Sequence, residues 1–227
     1  MKNIEMIILM AVMGYLIGSV SVARLIFAYK RPGTEPDRII SVSTDGEVEI
    51  IAHEVGATNV MMAFGKKLGM TTMLLDLLKA FIPVLSLSLL FPDENYHLIC
   101  GVFVLMGHLW PVWYRFSGGG GNSCILGMIL ALSPLGLIIT QMGGMLIGRF
   151  YPRYMFIGGV LLSIPWFTLE KGLLSPEMIF SVIVSSLYIL GQLPEAIAFQ
   201  RFKKQGYTFD LEYVMNMMKH SGRKNSP

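Results

Sequence analysis

Long apolar stretches separated by short polar segments dominate this chain. Continuous apolar stretches cover residues 4–29, 70–90, 97–114, 154–168 and 178–193. The hydrocarbon core of a bilayer is about 30 Å thick, and a helix of about 20 residues crosses it. The pattern therefore predicts an all-α polytopic membrane protein.

A further apolar stretch, residues 124–149, is interrupted by Ser133-Pro134, and Arg149 and Arg153 flank its end. A single crossing would leave these arginines outside, whereas Lys and Arg favour the cytoplasmic side. We therefore predict a broken helix pair that meets at Ser133-Pro134 and enters and returns on the same side. Such breaks are tolerated at membrane depth where they are buried in protein or line a cavity. With this pair the chain has about seven transmembrane segments.

Basic residues mark one side of these segments. Lys30-Arg31 follows the first stretch, Lys66-Lys67 precedes the second, and the tail at residues 201–227 is basic. The positive-inside rule places all three in the cytoplasm, so the amino terminus lies outside and the carboxyl terminus inside. Residues 1–200 are the predicted membrane domain, and the remainder is a cytosolic tail.

Composition agrees with a membrane location. The chain is 53% hydrophobic and 15% charged, and its mean hydropathy is +0.58, whereas soluble domains are about 25% charged. Cys100 and Cys124 both lie in apolar stretches, so we expect neither a disulfide framework nor a metal site. The net charge of +3 is modest. We expect membrane lipids rather than nucleic acid as surroundings.

The one long polar segment before the tail, residues 30–55, contains a candidate β-hairpin. Two β-prone runs, residues 39–43 and 47–51, flank Thr44-Asp45-Gly46. Alternating runs joined across Asp-Gly predict a hairpin, here inserted on the cytosolic side. It could cover a site, bind a partner or pack on the membrane domain, and the sequence does not choose among these.

Four consecutive glycines follow the third apolar stretch, with Arg115 before them and Asn122 and Ser123 after them, where a helix would be capped. The four are Gly118, Gly119, Gly120 and Gly121. Glycines before a helix let several amides point at one spot, and the helix dipole adds positive charge, which suits a phosphate or carboxylate. The run lacks the Gly-Lys-Ser/Thr of a Walker A motif. An anion site and a flexible loop between membrane helices therefore both remain open.

Other polar residues lie within or beside the apolar stretches. Asp76 and Lys79 are three residues apart and share a helix face. Each costs about 2.5–3.5 kcal/mol at the centre of a span, so they form an ion pair or line a polar site. His108 lies shortly before the glycine loop and is either structural or a ligand-binding residue. Thr58 and Asn59 lie on a short predicted amphipathic helix, where they cap it or bind a ligand.

Several motifs, taken in order, resemble one known family. They are Gly56-Ala57-Thr58-Asn59-Val60, Gly65-Lys66-Lys67-Leu68-Gly69, residues 75–84, Gly107-His108 through Pro111-Val112, the glycine loop, and Leu130-Ala131-Leu132-Ser133-Pro134. This order resembles the bacterial acylphosphate:glycerol-3-phosphate acyltransferase family over most of residues 11–170. The resemblance implies a seven-helix protein of the bacterial inner membrane with a cytosol-facing active site. It also implies acyl transfer from acyl phosphate to glycerol 3-phosphate, giving lysophosphatidic acid, with neither metal nor cofactor.

The chain departs from the family pattern at several polar positions. Where the family has Gly-Ser-Gly-Asn, this chain has residues 51–54, Ile-Ala-His-Glu, and Met62 replaces a family arginine. The loop lacks both lysines and the threonine of the family's Phe-Lys-Gly-Gly-Lys-Gly-Val-Ala-Thr. In the third motif, Glu195-Ala196-Ile197 is the nearest match, with Leu193 at the histidine position.

Those losses remove cations that would hold two phosphates, since charge-assisted hydrogen bonds are about twice as strong as neutral ones. Arg115, Lys79, Lys66 and His53 could substitute if they face the site.

Three functional hypotheses follow. The first is a membrane acyltransferase of phospholipid synthesis with an altered phosphate site. In it, Asn59 and His108 are the catalytic candidates and Thr58 positions substrate. The phosphate-binding candidates are Gly118–Gly121, Asn122, Ser123, Arg115, Lys79 and Asp76. The second is a catalytically silent relative that binds lipid or anion or scaffolds partner proteins. The third, a small transporter, lacks the internal repeat of that class.

Overall fold

The computed structural model describes residues 2–33, 39–42, 49–51, 54–151 and 154–204, and it is a bundle of α-helices. The helices are α1 Lys2–Ser19, α2 Val22–Lys30, α3 Ala57–Phe64, α4 Lys66–Leu90, α5 Tyr96–Leu109, α6 Asn122–Leu132, α7 Pro134–Phe150, α8 Met155–Leu161, α9 Ser163–Lys171 and α10 Pro176–Lys204. A 3₁₀ turn, Val112–Tyr114, lies between α5 and α6.

Four helical segments are long and apolar enough to cross a membrane. They are Ile4–Lys30, Lys66–Leu90, Tyr96–Tyr114 and Pro176–Pro194, and the shorter α6 is also apolar. Large apolar side chains point outward from the bundle, for example Leu89, Met142 and Leu169. Continuous exposed apolar surface of this kind fits a lipid environment. The predicted multi-pass membrane protein is confirmed to this extent.

Glycines bring the helices into close contact and fix their relative directions. Gly14 packs against the backbone of Cys100, and Gly18 packs against that of Val104, so α1 and α5 run parallel. Gly127 on α6 packs against Leu77 on α4 in the same manner. Small residues let backbones approach where lipid supplies no hydrophobic driving force.

The first apolar stretch contains a break that the sequence did not reveal. Helix α1 ends at Ser19, and Ser21 caps α2 by accepting a hydrogen bond from the Arg24 amide at 3.4 Å. The carbonyls exposed by the break accept hydrogen bonds from Lys79 Nζ, at 3.3 Å for Gly18 and 2.8 Å for Val20. The predicted continuous helix over 4–29 was therefore wrong at this point, because a cation from α4 satisfies the freed carbonyls.

The second membrane helix begins earlier than predicted. The apolar stretch begins at residue 70, with Lys66-Lys67 before it, but α4 already starts at Lys66. Gly65 alone separates α3 from α4, with φ of +90°. Only glycine adopts such a conformation readily, so one residue is enough to change the chain direction.

The predicted break at Ser133-Pro134 is confirmed. Helix α6 ends at Leu132 and α7 begins at Pro134. The Ser133 hydroxyl accepts hydrogen bonds from the Gly136 amide and from Trp166 Nε1, both at 3.1 Å. Proline at the first helical position needs no hydrogen-bond partner for its nitrogen, so the serine–proline pair ends one helix and starts the next.

Two short strands lie in the predicted hairpin segment. Ile39–Val42 (β1) and Glu49–Ile51 (β2) pair antiparallel, with Ile39 opposite Ile51 and Val42 opposite Glu49. The predicted Asp-Gly turn lies outside the described residues, as does the tail from residue 205. The cytosolic side of the hairpin stays a prediction.

Candidate functional site: the glycine loop

The glycine loop connects the 3₁₀ turn to α6 and is fastened to two neighbours. The Gly119 amide donates to the His108 carbonyl at 3.0 Å, and the Val55 amide donates to the Gly118 carbonyl at 2.8 Å. The turn before the loop places Arg115 and Phe116 in the left-handed region, with φ of 51° and 59°. Residues other than glycine adopt this region at a cost. The surrounding fold therefore holds the loop in one defined path.

The start of α6 offers unpaired backbone donors. Within the described part of the chain, the amides of Gly120, Gly121, Asn122 and Ser123 have no hydrogen-bond partner. The first amides of a helix lack partners inside the helix, and the helix dipole adds partial positive charge. Such a group of amides is suited to an anion.

Two of the loop glycines leave no room for a side chain. A Cβ on Gly118 would collide with the backbone of His108 and Leu109, and one on Gly119 would lie 2.6 Å from His108 Nε2. At Gly120 a Cβ would meet only the end of the Glu54 side chain. Gly121, with φ of +83°, directly precedes the first residue of α6. Close approach at Gly118 and Gly119 and the positive φ at Gly121 therefore account for three of the four glycines.

Asp76, Lys79 and His108 form one buried cluster beneath the loop. Lys79 Nζ lies 2.9 Å from Asp76 Oδ1 and 2.8 Å from His108 Nδ1. Asp76 and His108 are nearly buried, with exposed fractions of 3% and 7%. The predicted pairing of Asp76 with Lys79 is therefore present. Because the two charges neutralise each other, Lys79 does not supply a free cation to the loop.

Arg24 is a loop-contacting cation that sequence reasoning missed. Its Nη2 donates to the Ser117 carbonyl at 3.2 Å, and its guanidinium lies 4.7 Å from the centre of the Tyr114 ring. The side chain is 8% exposed. An arginine near the end of a membrane helix commonly extends toward the interface. The fold instead brings this arginine against the loop.

Glu54 and Gln192 lie on the other side of the loop. Gln192 Nε2 donates to Glu54 Oε1 at 2.7 Å and to the Gly120 carbonyl at 3.3 Å. The weak third-motif resemblance pointed to Leu193, but its neighbour Gln192 is the α10 residue that reaches the loop. A cavity of about 210 Å³ opens here, lined by Glu54, Leu109, Trp110, Phe116, Ser117, Gly118, Gly119, Gly191 and Pro194.

The remaining predicted residues are exposed, hydrogen-bond the backbone or lie outside the described residues. Asn59 is buried, and its Oδ1 accepts a hydrogen bond from the Gly56 amide at 2.9 Å, which fastens the start of α3. Thr58, Lys66 and Arg115 are exposed. His53 lies outside the described residues. The functional roles of all of these stay predictions.

Within the described ranges, no group of three or more His, Cys, Asp or Glu residues could hold a metal ion. The loop amides and the Arg24 guanidinium offer hydrogen-bond donors at the loop, and the His108 ring lies beside them. Such an arrangement can bind and orient an anion and can stabilise negative charge that develops on it.

Comparison with known proteins identifies a family. Residues 8–204 match the family model described as glycerol-3-phosphate acyltransferase. A protein of that name from Desulfotalea psychrophila is 42% identical over 113 residues, which span 48% of this chain and 57% of that protein. One from Myxococcus xanthus is 35% identical over 55% of this chain and 59% of its own length. The chain thus spans less than two thirds of these two relatives. One from Thermoanaerobacter pseudethanolicus is 31% identical over 80% of this chain and 86% of its own length.

Two crystal structures share the fold. Both are of PlsY, an integral membrane glycerol 3-phosphate acyltransferase, in its glycerol 3-phosphate form and its lysophosphatidic acid form. The first superposes with a TM-score of 0.72 at 24% identity, covering 90% of this chain and 95% of that one. The second gives 0.70 at 23% identity, covering 92% and 98%. At this identity the likeness shows the architecture of an integral membrane protein.

Proposed function

This chain belongs to the glycerol-3-phosphate acyltransferase family, and we propose that it transfers a fatty acyl group from an acyl phosphate to glycerol 3-phosphate, giving lysophosphatidic acid. The observation that carries the proposal is the group of unpaired amides at the start of α6, fastened to α5 and to Val55. This group provides a phosphate site that needs no lysine in the loop.

Catalysis in this proposal comes from positioning and electrostatics. The loop amides bind the phosphate of the acyl donor, and Arg24 adds positive charge from behind the loop. A hydroxyl of glycerol 3-phosphate attacks the acyl carbon, the bond from that carbon to the phosphate oxygen breaks, and the hydroxyl proton passes to the departing phosphate. No covalent enzyme intermediate forms. Holding the two substrates in the reactive orientation provides much of the rate enhancement. The preorganised donors stabilise the charge on the leaving phosphate.

An apolar groove beside the cluster supports a substrate with an acyl chain. The groove has a volume of about 560 Å³ and is lined by Ile17, Val20, Val22, Leu25, Ile26, Tyr29, Leu75 and Lys79. The charged residue Lys79 in this lining also contacts His108 below the loop. An acyl chain in the groove would thus extend from lipid toward the phosphate site.

The proposal includes a membrane topology. Seven segments, with α6 and α7 as the broken pair, place the glycine loop, the hairpin and the carboxyl terminus in the cytoplasm and the amino terminus outside. Single cysteines at Asp93 and Arg115 test this, with Cys100 and Cys124 replaced by Ala. An impermeant thiol reagent applied to intact cells should label position 93 and spare position 115. The reverse labelling would refute the topology.

One observation favours a second function, in which the protein is catalytically silent and binds an anion or lipid without turnover. Glu54 places a carboxylate beside Gly120, where repulsion weakens binding of a phosphate dianion. Formation of lysophosphatidic acid distinguishes the two functions.

The assay places purified protein in phospholipid vesicles with palmitoyl phosphate and labelled glycerol 3-phosphate. We expect labelled lysophosphatidic acid from palmitoyl phosphate but not from palmitoyl-CoA. The matched variant Gly119→Val, which fills the space beside His108, should give none. Absence of product from folded wild-type protein would refute the acyltransferase and leave the silent relative.

A further inference from the structure

We propose that Lys79 fixes the tautomer of His108 so that the ring donates a hydrogen bond from Nε2 to the anion at the glycine loop. His108 is then a donor to the phosphate and not the general base for the glycerol hydroxyl. The identity of the anion rests on the proposed function, whereas the tautomer and the direction of the hydrogen bond rest on the geometry alone.

The contacts of Lys79 determine the direction of its hydrogen bonds. An ammonium group has three N–H donors and no acceptor. Lys79 Nζ hydrogen-bonds the Val20 carbonyl at 2.8 Å, the Gly18 carbonyl at 3.3 Å and His108 Nδ1 at 2.8 Å. It also forms an ion pair with Asp76 Oδ1 at 2.9 Å. Because the ammonium has no lone pair, it donates the hydrogen bond to His108, and Nδ1 accepts.

The state of the other ring nitrogen follows from this. A neutral imidazole carries one proton, and when Nδ1 accepts, that proton lies on Nε2. Lys79 and Asp76 cancel each other's charge, so they hold the ring without adding net charge to the site. With its Nδ1 lone pair engaged and a proton on Nε2, the ring has no position left to take a proton from a substrate hydroxyl.

Nε2 lies beside Gly119 of the glycine loop. It lies 2.6 Å from the position that a Cβ on Gly119 would occupy, and the described part of the chain offers it no hydrogen-bond partner. The residue is 7% exposed. The His108 carbonyl also accepts a hydrogen bond from the Gly119 amide at 3.0 Å, which fixes the position of His108 relative to the loop. The His108 ring thus packs against Gly119, in the loop that leads to the unpaired amides of α6.

The tautomer is measured by nuclear magnetic resonance of protein labelled with ¹⁵N in its histidines and held in detergent micelles. His108 is assigned by the loss of its signals in His108→Gln. We expect a neutral ring protonated at Nε2, whose Nε2 signal shifts when hexadecylphosphonate is added. A ring protonated at Nδ1, a doubly protonated ring, or no response to the phosphonate would overturn the inference.

Two variants separate the role of Lys79 from a general effect on folding. Lys79→Met alone leaves the Asp76 carboxylate buried without its partner, so the double variant Asp76→Asn/Lys79→Met is used as well. In the double variant, with its helical content unchanged, we expect His108 to lose its fixed tautomer and give averaged ring signals. A fixed Nε2–H tautomer in that variant would show that Lys79 does not set it.

Kinetics distinguish a donor from a base. Glutamine places an amide N–H near the position of Nε2 but cannot act as a base, whereas phenylalanine offers neither. His108→Gln should keep kcat/KM for palmitoyl phosphate within about tenfold of wild type, and His108→Phe should lose about 100-fold, mainly through KM. Equal losses in the two variants would overturn the donor role. If wild type shows no acyl transfer but the resonance results are as expected, the proposed function fails and this inference stands.

Discussion

Replacing Arg24 tests whether the loop depends on a cation that lies outside the family motifs. Arg24→Met removes the hydrogen bond to the Ser117 carbonyl and the contact with the Tyr114 ring, at 3.2 Å and 4.7 Å. Methionine fills much of the same space, so the variant removes charge and donors more than volume. We expect the loop to lose its fixed position and with it the alignment of its amides.

The size of the effect follows from the two contacts. A hydrogen bond from a charged donor contributes about 1.5–3 kcal/mol, and a partly buried cation–π contact adds about 0.5–1 kcal/mol. If both are fully lost in the transition state, kcat/KM for palmitoyl phosphate falls by ~30- to ~700-fold, at about 1.4 kcal/mol per tenfold change. Arg24→Lys should lie between, because lysine can donate but does not stack as a planar group.

Arg31→Met is the matched control. Arg31 also lies near an aromatic ring, that of Phe64 at 5.2 Å, but it is exposed at the end of α2. The control removes the same charge without touching the loop, and its kcat/KM should stay within about threefold of wild type. The assay is the initial rate of lysophosphatidic acid formation in vesicles. Wild-type kcat/KM in folded Arg24→Met, or equal losses in both variants, would refute the reasoning.

Three further variants and one control variant test the loop and the packing. Gly119→Ala should lower kcat/KM at least ~100-fold, because its Cβ would meet His108 Nε2 at 2.6 Å. The control is Gly33→Asn, at a turn where a Cβ meets no other atom, and its kcat/KM should match wild type in the same rate assay. Ser133→Ala removes the cap of α7 and should cost about 1–2 kcal/mol of stability, read as a lower Tm with kcat unchanged. Gly18→Leu drives a side chain into the α5 backbone and should cost at least about 3 kcal/mol, seen as loss of folded protein in size-exclusion chromatography; an unchanged Tm would contradict the packing of α1 on α5.

Local signals predicted much of the fold. The sequence indicated the break between α6 and α7 because serine and proline act locally. The serine side chain caps α7, and the proline has no N–H to donate within a helix. The ion pair of Asp76 and Lys79 was readable because residues three apart share a helix face. The glycine run before an apolar segment likewise indicated the start of a helix.

The sequence did not indicate the contacts between distant parts of the chain. The break after Ser19 depends on Lys79, which donates to Val20 from 59 positions away in the sequence. Arg24 reaches Ser117 across 93 positions, and Gln192 reaches Glu54 across 138. Helical periodicity describes one segment at a time, so it could not indicate which side chains meet at the loop.

The measurement that most directly tests the central claim is the stoichiometry of the reaction. Inorganic phosphate and lysophosphatidic acid are quantified in the same vesicles supplied with palmitoyl phosphate, with and without glycerol 3-phosphate. The account predicts that the two products form in equal amounts, that both need glycerol 3-phosphate, and that both are lost in Gly119→Val. Phosphate release without glycerol 3-phosphate, or neither product from folded wild-type protein, would contradict it.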